Sequence, residues 1–221
     1  MPDIFPAATV VAVRDRHDGL ETLLLRRNKE LKFAGGSWVF PGGRIDKADY
    51  PDNLADIETA ARWAAVREAR EEADIEIDAT SLLYFSHWTT PPEAPKRFAT
   101  WFFICSVDEG ADVVVDGSEI VEHRWYKPAD AVAALNNKEI EMMPPTFITL
   151  TELAEASDAA DALMMYRERK VPRYLPKFTM TDKGICMLYP GDAGYEAGDQ
   201  DAEGRHHRMW MLEEGWRFEN S

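Results

Sequence analysis

Apolar residues crowd ATVVAVRD (residues 7 to 14) and ETLLLRR (21 to 27), and the polar turn HDG lies between the two runs. β-branched and leucine-rich runs flanking such a turn predict a β-hairpin. Trp38-Val39-Phe40 predicts a short third strand, entered through Gly35, Gly36 and Ser37. Residues 44 to 53 hold Pro51, Asp and Asn and read as a surface loop. Beyond it Leu54, Ile57, Ala61, Ala64 or Ala65, and Ala69 recur at helical spacing, with Asn53 or Asp56 as the cap. A helix face made of alanines lies close to a sheet.

Two further strands are predicted at 81 to 88 and 98 to 106, joined by TTPPEAPK, and a third at 119 to 126 after the Asp116-Gly117 turn. A short helix follows over 129 to 135, with Pro128 suited to its first turn. Helical pattern resumes from Thr146 to about 169, broken at Ser157-Asp158, where Ser157 is expected to cap the second helix. From 172 the chain returns to short β-like pieces, and GDAGYEAGDQDAEG reads as a polar, mobile loop. Strands, one central helix, strands and then helices predict an α/β fold with a mixed sheet.

The chain has 221 residues, enough for one medium domain with room for a small second unit. Its net charge of −15 argues against nucleic acid and anionic membrane surfaces as partners. A phosphorylated small molecule stays open, because metals and a few cations can dominate a local site. Cys105 and Cys186 are too few for a disulfide framework and read as small apolar core residues. No basic, apolar leader opens the sequence and no run approaches a membrane span, so a cytoplasmic protein is expected.

The predicted central helix ends in a carboxylate cluster. Glu68, Glu71 and Glu72 stand at i, i+3 and i+4 and share one face. Like charges so spaced repel each other, and a hard divalent cation such as Mg2+ or Mn2+ reverses the sign of that interaction. Arg67 precedes Glu71 by four residues, within reach of an orienting ion pair. Alone, EAREE reads as a charged, solvated helix end. The residues upstream change that reading.

Arg67 to Ile75, REAREEADI, resembles the second half of a Nudix box, REUxEExGU with U aliphatic, and Phe40-Pro41-Gly42-Gly43 resembles its opening. In the usual box five residues separate the glycine from a glutamate, and seven more precede the REUxEE segment. Counted back from Arg67, Thr59 stands where that glutamate belongs, with Glu58 one place early, and 15 residues (44 to 58) separate Thr59 from Gly43. Asp74 replaces the second glycine, and Ala69 stands in for the aliphatic residue. The resemblance implies an α/β/α Nudix fold over 5 to 136. An extension, 137 to 221, is expected to pack on the same domain. It also implies hydrolysis of a nucleoside diphosphate derivative by water attack on the pyrophosphate, with Mg2+ or Mn2+ held by Glu68, Glu71, Glu72 and the Gly42 carbonyl. Glu68, Glu71, Glu72 and Arg67 become the expected catalytic set, with the base unassigned.

LLLRRNKELKFAGGSWVFPGG is similar to the segment before the box in coenzyme A-cleaving members of the family. HWTTPPEAPKRFATWFF, MMPPTFITLTELA and YPGDAGY resemble the peroxisomal-type coenzyme A diphosphatase branch, which has an enlarged box. This implies cleavage of coenzyme A or acyl-coenzyme A to 3′,5′-ADP and 4′-phosphopantetheine species. Arg27, Lys32 and Arg97 are the expected phosphate-binding cations, with Lys96 beside them. Trp38, Trp88, Trp101 and Phe98 are candidates to stack an adenine, although aromatics at strand positions are more often core. His87 and His123 pair into no ligand set and read as structural polar residues, while His206-His207 reads as part of a mobile, solvated loop. ADP-ribose or NADH is the alternative substrate, and a catalytically weak nucleotide-binding module the alternative of another class. A homodimer is preferred on fold-level analogy alone.

Overall fold

The computed structural model describes residues 3–52 and 56–221. In chain order these form β1 (Ile4–Arg16), β2 (Gly19–Arg27), β3 (Trp38–Val39), β4 (Gly42–Arg44), α1 (Ile57–Ala73), β5 (Leu83–Thr89), β6 (Arg97–Ser106) and β7 (Ile120–Tyr126). There follow α2 (Pro128–Asn136), α3 (Pro144–Leu153), α4 (Ala159–Arg167), β8 (Arg173–Tyr174), β9 (Lys177–Thr181), β10 (Gly184–Leu188), β11 (His207–Leu212) and β12 (Gly215–Asn220). Asn53 and Leu54, expected at the start of the central helix, lie outside the described residues.

The large sheet runs β3-β2-β1-β6-β5-β8, with β4 on β1 and β7 on β2. It is mixed. β1 pairs antiparallel with β2 and β4 but parallel with β6, from Ile4↔Arg97 to Val13↔Ser106. β4 takes the first half of one β1 edge (Ala7 to Thr9) and β2 the second (Val13 to Arg16). That sharing sets Gly42 and Gly43 against the sheet at the level of α1.

β1 is buried on both faces, as a central strand requires. Ala8 and Val10 meet α1, whose Ala60, Ala61, Ala64, Ala65 and Ala69 are buried. Side chains this small let the helix axis approach the sheet closely. Ile57, expected on this face, is instead an exposed residue at the first turn. Asp56 is the cap, its carboxylate accepting from Thr59 N at 2.8 Å. On the opposite face Val11, Val13, Leu24 and Phe85 pack with Phe147, Ile148 and Tyr166 of α3 and α4. The sheet therefore lies between helices, an α/β/α arrangement.

β9 to β12 form a separate antiparallel sheet in the order β12-β11-β10-β9. Its Met187 and Met209 join the core cluster of the large sheet, and β8 pairs parallel with β5. The polar loop after β10 is anchored, contrary to its composition. Asp192 is buried and binds Arg208 through two hydrogen bonds of 2.7 Å, while His207 N donates to it at 2.8 Å. His207, expected in that loop, is buried in β11 with Nδ1 at 2.8 Å from the Pro190 carbonyl. Asp158, not Ser157, caps α4, accepting from Asp161 N at 2.8 Å. No described helix is long and apolar enough to cross a membrane.

Candidate active site

The last two turns of α1 carry Arg67, Glu68, Glu71 and Glu72 toward the β3-β4 turn. Glu72 is buried, and its Oε2 accepts the Gly42 N–H at 2.9 Å. Burial pushes its carboxyl up to about 8; the charges of Glu68 and Glu119 push the same way, while the Gly42 N–H and Arg27 oppose them. The Glu68 carboxyl is also raised, first by burial, then by Glu71 and Glu119, against the pull of Arg67. Glu71 is the exposed member of the set.

Arg67 binds four partners. Nε and Nη2 meet the two oxygens of Asp49 at 2.9 and 3.0 Å, and Nη1 reaches Glu68 at 2.8 Å and Glu71 at 3.0 Å. Nη2 also donates to the Arg44 carbonyl at 3.0 Å. These acceptors hold the guanidinium firmly protonated, hydrogen bonding to Asp49 being the largest cause. Asp49 is buried at the end of a 3-10 turn, Lys47–Asp49, and its Oδ2 accepts Asp46 N at 2.7 Å. The surface loop expected at 44 to 53 thus contains a buried structural acid. Five residues separate it from Gly43, the spacing of the usual box, so the extra residues lie between Asp49 and Arg67. Counting back from Arg67 pointed to Thr59, which instead donates its N–H to the helix cap; counting forward from Gly43 finds the acid.

Both glycines serve close approach rather than unusual backbone angles. A Cβ on Gly43 would run into the Glu68 carboxylate, and one on Gly42 into the Ala8 carbonyl and Thr9 Oγ1. Gly42 meets the carboxylate of Glu72 through its N–H.

Glu119 is a further acid that sequence reasoning missed. It sits between the Asp116-Gly117 turn and β7, and its Oε1 lies 2.6 Å from Arg27 Nη2. Arg27 occupies a β-bulge where the β2-β7 register slips, a local device that re-aims a side chain. Arg27, Glu119 and Glu68 line one cavity of about 960 Å³, at the upper end of the roughly 300–1,000 Å³ usual for small-molecule sites. Among the described residues no three carboxylates converge as a preformed metal cage, since Arg67 draws Glu68 and Glu71 to itself. The donor chemistry nonetheless fits a hard divalent ion, because Glu72 is buried without a cationic hydrogen-bond partner and Glu68 and Glu119 repel it.

The sequence model of the NUDIX domain matches residues 4–145. The chain belongs to the Nudix family. It is 29% identical over 209 residues to "Putative nudix hydrolase 7" of Caenorhabditis elegans, an alignment covering 78% of this chain and 69% of that protein. It is 32% identical over 123 residues to "Acyl-coenzyme A diphosphatase NUDT19" of Homo sapiens, covering 53% of this chain and 33% of the human one. The matched region is thus about a third of that relative's length. A Nudix hydrolase from Alicyclobacillus acidocaldarius superimposes with a TM-score of 0.65 at 25% identity, over 74% of this chain and 97% of that structure. The protein is a Nudix hydrolase, a pyrophosphohydrolase of a family that acts on small nucleotides and generally uses divalent metal ions.

The other residues expected at the Nudix site are scattered. Lys32 is an exposed turn residue outside the cavity lining. Arg97 is buried, with Nε donating to the Thr90 carbonyl at 3.0 Å, and it is the neighbouring Lys96 that lines the cavity. Arg97 is the first residue of β6, whereas Lys96 sits in the bend before the strand. Phe98 lines the cavity beside Phe33, ring centroids 5.5 Å apart, and Lys96 Nζ lies 5.1 Å from the Phe98 ring. Trp88 reaches the cavity but stacks on Tyr174 at 3.9 Å, whereas Trp101 packs on His87 and Trp38 on Tyr126 as core. Burial drives the His87 imidazole down to about 4 and the Cys105 and Cys186 thiols up to about 12 and 11, so none of the three is poised to react.

Proposed function

We propose that this Nudix hydrolase cleaves the pyrophosphate of coenzyme A or its thioesters, releasing 3′,5′-ADP and the matching 4′-phosphopantetheine species. The observation that carries the reading is one cavity in which the box carboxylate Glu68 and Glu119 stand with Arg27, Lys96 and the Phe33-Phe98 pair. The similarity to acyl-coenzyme A diphosphatase NUDT19 supports the same substrate class.

One water is consumed: its oxygen joins phosphorus, the bridging P–O bond breaks, and the proton leaves to a carboxylate or solvent. Glu68, Glu71, Glu72 and Glu119 are the residues that would hold Mg2+ or Mn2+. When bound, the ions would neutralise the pyrophosphate and acidify the attacking water. Arg67 orients Glu68 and Glu71 while Asp49 fixes Arg67. Arg27 and Lys96 offer cations for phosphate oxygens, Arg27 after exchanging its bond with Glu119. Phe33 and Phe98 present ring faces to the adenine.

Hydrolysis of coenzyme A, ADP-ribose and NADH with Mg2+ or Mn2+, read by product chromatography, tests the reading. Preferred release of 3′,5′-ADP from coenzyme A supports it. Preference for ADP-ribose or NADH keeps the chemistry and overturns the substrate.

A further inference from the structure

The cavity is chemically two-sided. Its charged residues, from Arg27 to Glu141, all fall within the first 145 residues. Residues 173–221 contribute Pro176, Phe178, Met187, Met211 and Trp216, and every one of them is apolar. The β-register explains why they share a face. Phe178 lies opposite Met187 across β9 and β10, and Met211 opposite Trp216 across β11 and β12. Cys186, Leu188 and Trp210, which alternate with them, form a cluster on the sheet's other face.

This wall is built but incompletely covered. The Trp216 backbone N–H donates to Asn136 Oδ1 at 2.8 Å, and its ring meets Phe147 edge-on at 5.5 Å. Phe178 is nevertheless 46% exposed and Met143, which lines the same cavity, is 36% exposed. Apolar surface held open to water costs about 25 cal/mol per Å², a cost an apolar ligand removes. A nucleotide's phosphates and ribose have no use for such a surface. The methionines add tolerance, because unbranched thioethers repack around apolar groups of varying shape.

We propose that this wall binds the acyl chain of a thioester substrate, so that the C-terminal extension selects acyl-coenzyme A over free coenzyme A. The inference rests on the diphosphatase reading above and names what distinguishes its substrates. The polar end of the substrate meets Arg27, Lys96 and the carboxylates, while the acyl end covers Phe178, Met143 and Met211. Chain length is then read as apolar area buried.

The test compares kcat/KM for free coenzyme A, hexanoyl-coenzyme A and lauroyl-coenzyme A with Mg2+, in the unaltered protein and in Phe178→Ala and Met143→Ala. Both substitutions shorten partly exposed side chains, and thermal melts verify that each variant is folded. Lauroyl-coenzyme A is expected to exceed free coenzyme A by roughly tenfold, chiefly through KM, since each methylene buried favours binding. Each variant should cut that ratio by about threefold or more. Turnover of all three substrates at equal efficiency, or variants that leave the ratio unchanged, would overturn the acyl site alone. Hydrolysis of none of them would overturn the diphosphatase reading and the acyl site with it.

Discussion

Arg67 holds Asp49 through two hydrogen bonds, Nε to Oδ1 at 2.9 Å and Nη2 to Oδ2 at 3.0 Å, joining the 3-10 turn to α1. The same guanidinium spends Nη1 on Glu68 and Glu71. Asp49 thereby fixes the orientation of two carboxylates that it does not touch. Asp49→Asn keeps the shape and removes the charge. Loss of a charge-assisted, bidentate bond should lower kcat/KM about tenfold and raise the Mg2+ concentration for half-maximal rate. Steady-state kinetics across a Mg2+ series checks this, with Asp49→Glu expected to restore part of the loss. An unchanged Mg2+ dependence would reduce Asp49 to a purely structural role.

Glu72 predicts a pH signature of the metal-free protein. Its folded carboxyl titrates near 8 against an ordinary 4.5, with burial as the main cause. Between those values the folded state keeps a proton that the unfolded chain has lost, so stability falls as pH rises from about 4.5 through 8. Chemical denaturation in chelator should show that decline, and Glu72→Gln should flatten it. Added Mg2+ should stabilise the unaltered protein more at pH 8 than at pH 6, because the ion binds the deprotonated form. A slope in chelator that Glu72→Gln leaves intact would assign the titration elsewhere.

Glu119 stands outside the box yet shares its field, acting on both Glu68 and Glu72 and lying 2.6 Å from Arg27. Glu119→Gln should reduce kcat about tenfold, the scale of one lost metal-site interaction. Arg27→Ala should instead act mainly on KM, by removing a phosphate contact. Parallel effects of the two substitutions on kcat and KM would show that the pair works only as a strut between β2 and β7.

Local patterns and spacing made the strands, α1 and the cluster at Glu68, Glu71 and Glu72 legible in the sequence. Alanine repeats predicted how closely α1 meets the sheet, and Ala60, Ala61, Ala64, Ala65 and Ala69 lie buried there. Contacts that depend on chain return were hidden. Asp49 looks like a polar loop residue until the 3-10 turn buries it beneath Arg67. Glu119 approaches Glu68 only because β7 pairs with β2. Lys96 and Arg97 could not be told apart before the start of β6 was fixed, since Arg97 is buried at that start and Lys96, in the bend before it, lines the cavity. Asp192 was masked by a glycine-rich, acidic surrounding although Arg208 ties it into the core.

Asp74 closes α1 in the left-handed region, φ 55 and ψ 33, where the usual Nudix box has its second glycine. Its N–H donates to the Ala69 and Arg70 carbonyls, which terminates the helix. A non-glycine residue there carries strain of roughly 1 kcal/mol, softened for aspartate because its short polar side chain tolerates the conformation. Asp74 is exposed, so its side chain contributes little packing. Asp74→Gly should therefore stabilise the protein by about 0.5 kcal/mol or slightly more, moving the midpoint of thermal unfolding up by about 1–3 °C for a chain of this size. Catalysis should be unchanged, because the substitution leaves Glu68, Glu71 and Glu72 in place. A fall in melting temperature would mean that aspartate makes a stabilising contact that outweighs the strain, and that the helix end is tuned for it.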